Sequence, residues 1–117
     1  MPIDCFANWE WIHSTDKLTI EADIKRTYQK GPYINTIIRT TELDGDYAVE
    51  KIKIWYDVNT TILCYKAEDT WIYNKDREIK SHLIKSKCRI VPPNSVGEYV
   101  FFKIISKYYK NKKSANM

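Results

Sequence analysis

Glycine, proline, cysteine and histidine are scarce in this 117-residue sequence, which holds three Gly, four Pro, three Cys and two His. So few glycines and prolines exclude long flexible linkers and collagen-like repeats. The cysteines (Cys5, Cys64 and Cys88) form no C-x-x-C pair, and neither histidine lies at metal-ligand spacing from them, so we expect no structural zinc. A Cys64–Cys88 disulfide stays open, although buried free thiols are the favoured interpretation.

Motifs for catalysis and for membrane crossing are also missing. The sequence contains no phosphate-binding glycine loop, no G-x-S-x-G and no H-E-x-x-H. No apolar run approaches the roughly 20 residues that a transmembrane helix needs, and the N-terminus lacks a signal-peptide pattern. We therefore expect no enzyme, no metal or cofactor and no transmembrane segment. The predicted location is the cell envelope or the exterior if a leader peptide has been removed, and the cytoplasm otherwise.

Apolar and aromatic residues are abundant, at 44% and 14% of the chain, which predicts a single folded domain over residues 1–117. The chain prefers Ile to Leu and Lys to Arg, which is typical of an AT-rich coding sequence such as that of a low-GC bacterium. The formal net charge is +4. Lysines crowd the last fifteen residues, and we expect residues 111–117 to form a basic frayed tail.

Alternating and β-branched segments predict antiparallel strands over about residues 8–91. Residues 17–24 alternate apolar and polar side chains with a period of two, and Gly31-Pro32 and Asp44-Gly45-Asp46 supply turns. Short gaps between segments favour hairpins over helical crossovers. The remaining predicted strands are residues 33–40, 50–57, 61–67 and 70–73, with residues 78–87 ambiguous but favouring a strand.

A helix is predicted over about residues 95–110, directly after Pro92-Pro93. Ser95 and Glu98 stand three apart and predict a capping box, in which Glu98 reaches back to the Ser95 N–H. An apolar stripe at helical spacing follows, formed by Val100, Phe101, Ile104, Ile105 and Tyr108. The predicted fold is therefore α+β: a single twisted antiparallel sheet of about six strands in a meander, with the C-terminal helix packed on one face.

Lys51, Lys53 and Trp55 share one face of a predicted strand, and Arg39 lies on the neighbouring strand. Rings with cations are typical of readers of single-stranded nucleic acid, yet a net charge of only +4, with Glu50 nearby, makes nucleic acid an unlikely partner. Trp and Arg are common anchors of protein interfaces. We therefore predict that Arg39, Lys51, Lys53 and Trp55 bind a protein partner, unless this face lies under the helix.

The chain resembles the bacterial surface-adhesin protein E family. The resemblance rests on Asn8-Trp9, on the strands 18–25, 33–40 and 51–57, and on the segment Pro92-Pro93-Asn94-Ser95-Val96-Gly97-Glu98 with its helix. It implies an antiparallel sheet with a C-terminal helix, export to the cell envelope, and binding of host extracellular matrix or serum proteins in some members.

One departure concerns a disulfide that ties helix to sheet in the family. Its positions fall near Thr60 and Ile105, and neither is cysteine. We therefore expect apolar burial alone to hold the helix. The leading hypothesis is a non-enzymatic envelope or secreted binding protein; the alternative is a cytoplasmic interaction or regulatory domain that binds single-stranded nucleic acid. The sequence does not predict an oligomeric state.

Overall fold

The structure is a computed structural model that describes residues 7–84 and 87–115. Within these residues the chain forms eight strands, one short 3₁₀ helix and one α-helix. The elements are β1 (Glu10–Ser14), β2 (Leu18–Ala22), the 3₁₀ helix (Ile24–Arg26), β3 (Tyr28–Lys30), β4 (Tyr33–Glu42), β5 (Tyr47–Asp57), β6 (Ile62–Tyr73), β7 (Ile79–Ile84), β8 (Arg89–Ile90) and α1 (Val96–Ala115).

All strands belong to one antiparallel sheet with the spatial order β1-β2-β4-β5-β6-β7, while β3 pairs with β4 and β8 pairs with β6. The predicted α+β fold with a C-terminal helix on the sheet is confirmed. The described strands number eight rather than about six. The ambiguous segment 78–87 contains a strand, β7, as favoured.

Two predicted strands, residues 61–67 and 70–73, are a single strand of 12 residues in the structure. The sequence break between them is a β-bulge, because Lys51 pairs with Asp69 whereas Ile52 pairs with Ala67. One additional residue, Glu68, is thereby inserted into β6 without ending it. The bulge changes the phase of the alternation, which made one strand look like two.

The helix packs its predicted apolar stripe on the sheet. Ile104 is fully buried, Val100, Phe101 and Tyr108 are buried, and Ile105 is partly buried against the same cluster. Sheet residues from several strands complete this core, among them Ile12, Ala22, Ile34, Ile38, Ile52, Ile54 and Leu63. Burial of large apolar side chains, at about 1.5–3 kcal/mol for each, is sufficient to hold the helix in place.

The helix cap differs in one bond from the predicted capping box. The Glu98 N–H donates to Ser95 Oγ at 3.1 Å, as predicted. The Glu98 carboxylate, however, accepts from the Asn94 N–H at 3.1 Å, because the Ser95 N–H already donates to the Pro92 carbonyl. The cap therefore links the helix to the turn one residue further back.

The helix also extends beyond its predicted end. Residues 111–117 are predicted to be a frayed tail, but residues 111–115 are helical, which gives α1 a length of 20 residues; residues 116 and 117 lie outside the described residues. Lys112 and Lys113 lie in the last turn, where positive charge interacts favourably with the helix dipole. No helix within the described residues is long and apolar enough to cross a membrane.

The described cysteines do not form a disulfide. Cys64 is half-buried and Cys88 is exposed, and both are free thiols. The expectation of buried thiols was therefore wrong, because Cys88 precedes the short β8 strand in an exposed segment. Cys5 lies outside the described residues.

Candidate binding surface

One face of the central strands points away from α1, and we call it the open sheet face. On β5, Ile52 and Ile54 belong to the core under the helix, so Lys51, Lys53 and Trp55 project from the opposite side. A second apolar cluster, separate from the main core, forms on this opposite side. The open sheet face is defined by Tyr33, Ile37 and Arg39 of β4, Tyr47, Val49, Lys51, Lys53 and Trp55 of β5, Glu68, Asp69, Trp71 and Tyr73 of β6, and His82 of β7, with Trp9 and Glu21 beside them.

The four predicted partner-binding residues all lie on this face, with Arg39 at one end and Trp55 at the other. Arg39 lies on β4, and Lys51, Lys53 and Trp55 follow at alternate positions of the adjacent β5. The alternative that Trp55 is covered by the helix is wrong, because its ring contacts Tyr33 on the open sheet face. Their role in binding a partner stays a prediction.

Arg39 is held at one end of the open sheet face by a carboxylate and two rings. Its Nη2 and Nε lie 2.9 Å and 3.1 Å from Glu21 Oε1. The guanidinium carbon lies 4.9 Å from the Trp9 ring centroid and 5.9 Å from that of Tyr47. Tyr47 in turn stacks on Tyr73 with centroids 4.8 Å apart. The guanidinium therefore has a fixed position, with part of its surface still exposed.

The centre of the open sheet face is organised around Trp71. The imidazole of His82 stacks on the indole, with centroids 4.8 Å apart and an interplanar angle of 9°. Lys51 Nζ lies 5.9 Å from the Trp71 ring centroid. His82 Nε2 lies 3.2 Å from Asp69 Oδ1, which orients the imidazole over the indole. The carboxylate here contacts the imidazole, while the Lys51 ammonium group lies near the indole.

The same combination recurs around Lys53 at the other end. Its Nζ lies 3.3 Å from Glu68 Oε1 and 5.0 Å from the Tyr33 ring centroid. The Tyr33 ring meets Trp55 edge to face, with centroids 5.6 Å apart. A half-exposed ring pair therefore borders a paired ammonium group.

The β-bulge in β6 explains how two acidic side chains reach this face. In a regular strand, the neighbours Glu68 and Asp69 would point to opposite sides of the sheet. Because Glu68 is the inserted residue, its carboxylate pairs with Lys53 while Asp69 still contacts His82 on the same face. The bulge thus adds a further acidic side chain, Glu68, to the open sheet face.

A concavity of about 580 Å³ lies on the open sheet face between β3 and β6. Four cationic side chains, two acids and two tyrosines line it together with Asn35, Thr36, Ile37 and Ile52: Arg26, Lys30, Lys51 and Lys53, Glu68 and Asp69, and Tyr28 and Tyr33. The shape and the lining suit non-covalent contact with a polar group of a ligand.

The Cys64 thiol on β6, opposite Trp55, does not have the properties of an activated nucleophile. Burial, reinforced by the charge of Asp57 and by Cys88, raises the pKa of the Cys64 thiol, the opposite of what a thiolate nucleophile needs. Within residues 7–84 and 87–115, no group of three or more His, Cys, Asp or Glu side chains is placed to hold a metal ion. The arrangement is suited to recognition by rings, cations and carboxylates.

Comparison with protein-family models, curated proteins and solved structures finds no match to this chain. The resemblance to the surface-adhesin protein E family therefore stays a prediction, and the function must be inferred from the surface itself.

Sequence reasoning missed the ring partners Trp9 and Trp71 and the acids Glu21, Glu68 and Asp69. Trp71 and Tyr73 stand two residues apart, so the sequence predicts that they share one side of β6. Which side of the sheet that is depends on the bulge, and the sequence therefore does not show that both lie on the same face as Lys51. The Arg39–Glu21 pair was accessible in principle, since both residues lie on predicted neighbouring strands. Their pairing depends on a register that the sequence pattern does not fix.

Proposed function

We propose that this chain is a non-enzymatic envelope or secreted binding protein that contacts a protein ligand through the open sheet face. The observation that supports it most is that Arg39, Lys51, Lys53 and Trp55 share one sheet face that the helix leaves uncovered. Aromatic and arginine side chains carry most of the affinity in many protein interfaces.

The contacts within the open sheet face favour a protein over a polyanion. Glu21 pairs with Arg39 and Glu68 pairs with Lys53, so an acid stands beside a cation at both ends of the face. A phosphate backbone would meet these carboxylates and be repelled, whereas a protein surface can offer both signs and apolar groups. Specificity would come from a ligand surface whose charged groups match the positions of these paired charges.

The partial ordering of the side chains lowers the cost of binding. Lys53 is held by Glu68 and the Tyr33 ring, and Arg39 is held by Glu21 and the Trp9 ring, before any ligand arrives. Immobilising a long side chain otherwise costs about 0.5–1.5 kcal/mol on association. Trp55 and Tyr33 provide an apolar contact beside Lys53, at the end of the open sheet face opposite Arg39.

Binding to a panel of extracellular matrix and serum proteins tests the proposal. The immobilised wild-type protein is expected to capture at least one of them, and Trp55→Ala and the double variant Lys51→Glu/Lys53→Glu are expected to weaken that capture at least roughly tenfold. The matched control Lys110→Glu/Lys113→Glu makes the same charge change on the exposed side of α1 and should leave capture unchanged. Absence of capture by the wild type, or equal loss in the control, would contradict the proposal. A leader peptide encoded upstream of Met1 would support the envelope location.

A second candidate function is binding of single-stranded nucleic acid at the concavity of the open sheet face. It is favoured by the four cations Arg26, Lys30, Lys51 and Lys53 beside the rings of Tyr28 and Tyr33, on which bases could stack. Salt-dependent binding of single-stranded oligonucleotides, lost in Tyr28→Ala, is the result that this candidate requires. Flat titrations at low salt eliminate it.

A further inference from the structure

The net positive charge of the molecule comes from its helix. Residues 96–115 contain five lysines and one glutamate, a formal surplus of four, which equals the net charge of +4 of the whole 117-residue chain. Everything outside the helix is therefore neutral in formal charge. The sheet and the helix offer potential partners very different electrostatic surfaces.

The side of α1 that faces away from the sheet carries exposed rings as well as lysines. Tyr99, Phe102 and Tyr109 are 53%, 45% and 46% exposed, whereas Ile104 on the opposite side is fully buried. We call this side the helix outer face. It is defined by Tyr99, Phe102, Lys103, Ser106, Tyr109, Lys110 and Lys113, which an α-helix with 3.6 residues per turn places on one side over a length of about 20 Å.

Trp11 of β1 extends the aromatic surface of the helix outer face. Lys103 Nζ donates to the Ile12 carbonyl at 2.7 Å and lies 4.3 Å from the Trp11 ring centroid. The indole is 54% exposed and is thereby fixed at the border of the helix. His13 completes the border by packing edge to face against Tyr99.

The lysines further along the helix outer face have no acidic partner within the described residues. Lys110 and Lys113 are exposed and form no ion pair there. Glu98, the one acid of the helix, already accepts a hydrogen bond from the Asn94 N–H in the cap. These ammonium groups therefore remain available to an external anion.

We infer that the helix outer face binds the surface of an anionic lipid bilayer. The rings of Tyr99, Phe102 and Trp11 would enter the interfacial layer, where Trp and Tyr are favoured, and the lysines would contact acidic headgroups. Exposed rings flanked by lysines along one side of a helix are typical of helices that lie in the plane of a membrane surface.

A bilayer fits this surface better than a nucleic acid does. Phe102 could contact a nucleic acid only by stacking on a base, whereas its whole exposed ring gains from leaving water for an apolar layer. The lysines and rings also lie on the outer side of a single helix, which can meet a plane without a groove. In this orientation the open sheet face, on the other side of the sheet from α1, points away from the membrane.

Co-sedimentation with lipid vesicles tests the inference without any knowledge of the protein ligand. The wild type should bind vesicles of phosphatidylcholine mixed with phosphatidylglycerol, should not bind phosphatidylcholine alone, and should be released by salt. Lys110→Gln/Lys113→Gln should weaken binding by roughly fivefold for each lysine removed. Phe102→Ala should weaken it roughly tenfold, because a ring no longer leaves water.

The double variant Lys51→Gln/Lys53→Gln is the matched control, since it removes the same charge from the open sheet face. Unchanged vesicle binding by this control supports a binding site on the helix outer face. A loss of vesicle binding equal to that of Lys110→Gln/Lys113→Gln overturns it. No binding to the mixed vesicles at low salt also overturns the inference. The inference is also overturned if Phe102→Ala binds vesicles as tightly as the wild type and oligonucleotides displace the protein from vesicles completely. The helix outer face would then recognise polyanions rather than a bilayer. Circular dichroism confirms that each variant is folded.

Discussion

The open sheet face and the helix outer face are built from the same two kinds of side chain but differ in how the cations are partnered. On the sheet, Arg39 and Lys53 each contact a carboxylate and a ring. On the helix, Lys110 and Lys113 form no ion pair within the described part of the chain. Partnered charges fix a geometry that can be matched, whereas unpartnered charges create a field that attracts anions of any shape.

The difference follows from the two kinds of element. Neighbouring strands place side chains about 5 Å apart across the sheet, so oppositely charged residues meet once the register is set. The outward side of a helix that packs on a sheet has few neighbours outside the helix, and α1 has a single acid among its 20 residues. The sheet therefore pairs Arg39 and Lys53 with acids on neighbouring strands, whereas Lys110 and Lys113 of the helix form no ion pair within the described residues.

The largest effect is expected from separating the helix from the sheet. Ile104→Asp places a carboxylate at a fully buried position and should lower the free energy of unfolding by roughly 4 kcal/mol or more, as measured by urea denaturation. Ile105→Asp should have a smaller effect because Ile105 is only partly buried. Ser106→Asp, on the exposed side, is the control and should change stability by less than about 0.5 kcal/mol. Equal effects at the three positions would show that the helix is not held by this packing.

Removing one cation from each surface compares partnered with unpartnered charge directly. Arg39→Ala should destabilise the protein by about 1–2 kcal/mol, because Glu21 loses its partner and the Trp9 ring loses its contact. Lys110→Ala should stay within about 0.5 kcal/mol of the wild type. The comparison fails if urea denaturation gives the two variants the same stability.

A double-mutant cycle isolates one of the ion pairs. Alanine substitutions of Lys53 and Glu68 should show a coupling energy of about 0.5 kcal/mol at low salt, because both side chains are about one-third exposed. Glu10 and Lys107 line one shallow depression but form no ion pair, so the same cycle there should give a value near zero. A coupling in the control cycle as large as that of Lys53 and Glu68 would show that their direct contact is not the cause of the coupling.

The smallest effect concerns a carboxylate on the helix side of the sheet. Burial raises the pKa of Glu50 above its ordinary value of 4.5, against the opposing influences of the Thr70 hydroxyl and of Arg89. The folded state then binds the proton more tightly than the unfolded state, so this group costs stability as the pH rises through its raised pKa. Glu50→Gln, which can still accept from Thr70, should be slightly more stable than the wild type at neutral pH.

The pH dependence provides the control for that variant. Well below pH 4.5, Glu50 is protonated in both states, and the advantage of Glu50→Gln in urea denaturation should vanish. A constant difference between the variant and the wild type from acid to neutral pH would mean that burial of the charge is not the cause.

Most of the fold could be predicted from local patterns, while the site could be predicted only in part. The period-two alternation of β2 and the spacing of Val100, Phe101, Ile104 and Tyr108 each indicate one element and its buried side. The shared face of Lys51, Lys53 and Trp55 follows from the same alternation. These features depend only on the spacing of apolar and polar residues within one segment, and that spacing can be read directly from the sequence.

What depends on register or on a bulge could not be predicted. The bulge at Glu68 gives no signal in the sequence beyond two consecutive acids. It nevertheless places the Glu68 carboxylate beside Lys53 on the open sheet face. The bond from the Asn94 N–H to Glu98, in place of the predicted one, reflects competition from the Pro92 carbonyl for the Ser95 N–H. The helix also continues through residues 111–115, beyond Tyr108, the last residue of the apolar stripe.

The central claim is that the molecule has two independent binding surfaces, and a crossed binding measurement tests it most directly. The wild type, Lys51→Glu/Lys53→Glu and Lys110→Glu/Lys113→Glu are each measured by biolayer interferometry against the captured matrix or serum protein and against anionic vesicles. We predict that the first variant loses only the protein ligand and the second loses only the vesicles. If both variants lose both ligands to the same extent, binding reports only net charge, and the division into two surfaces is wrong.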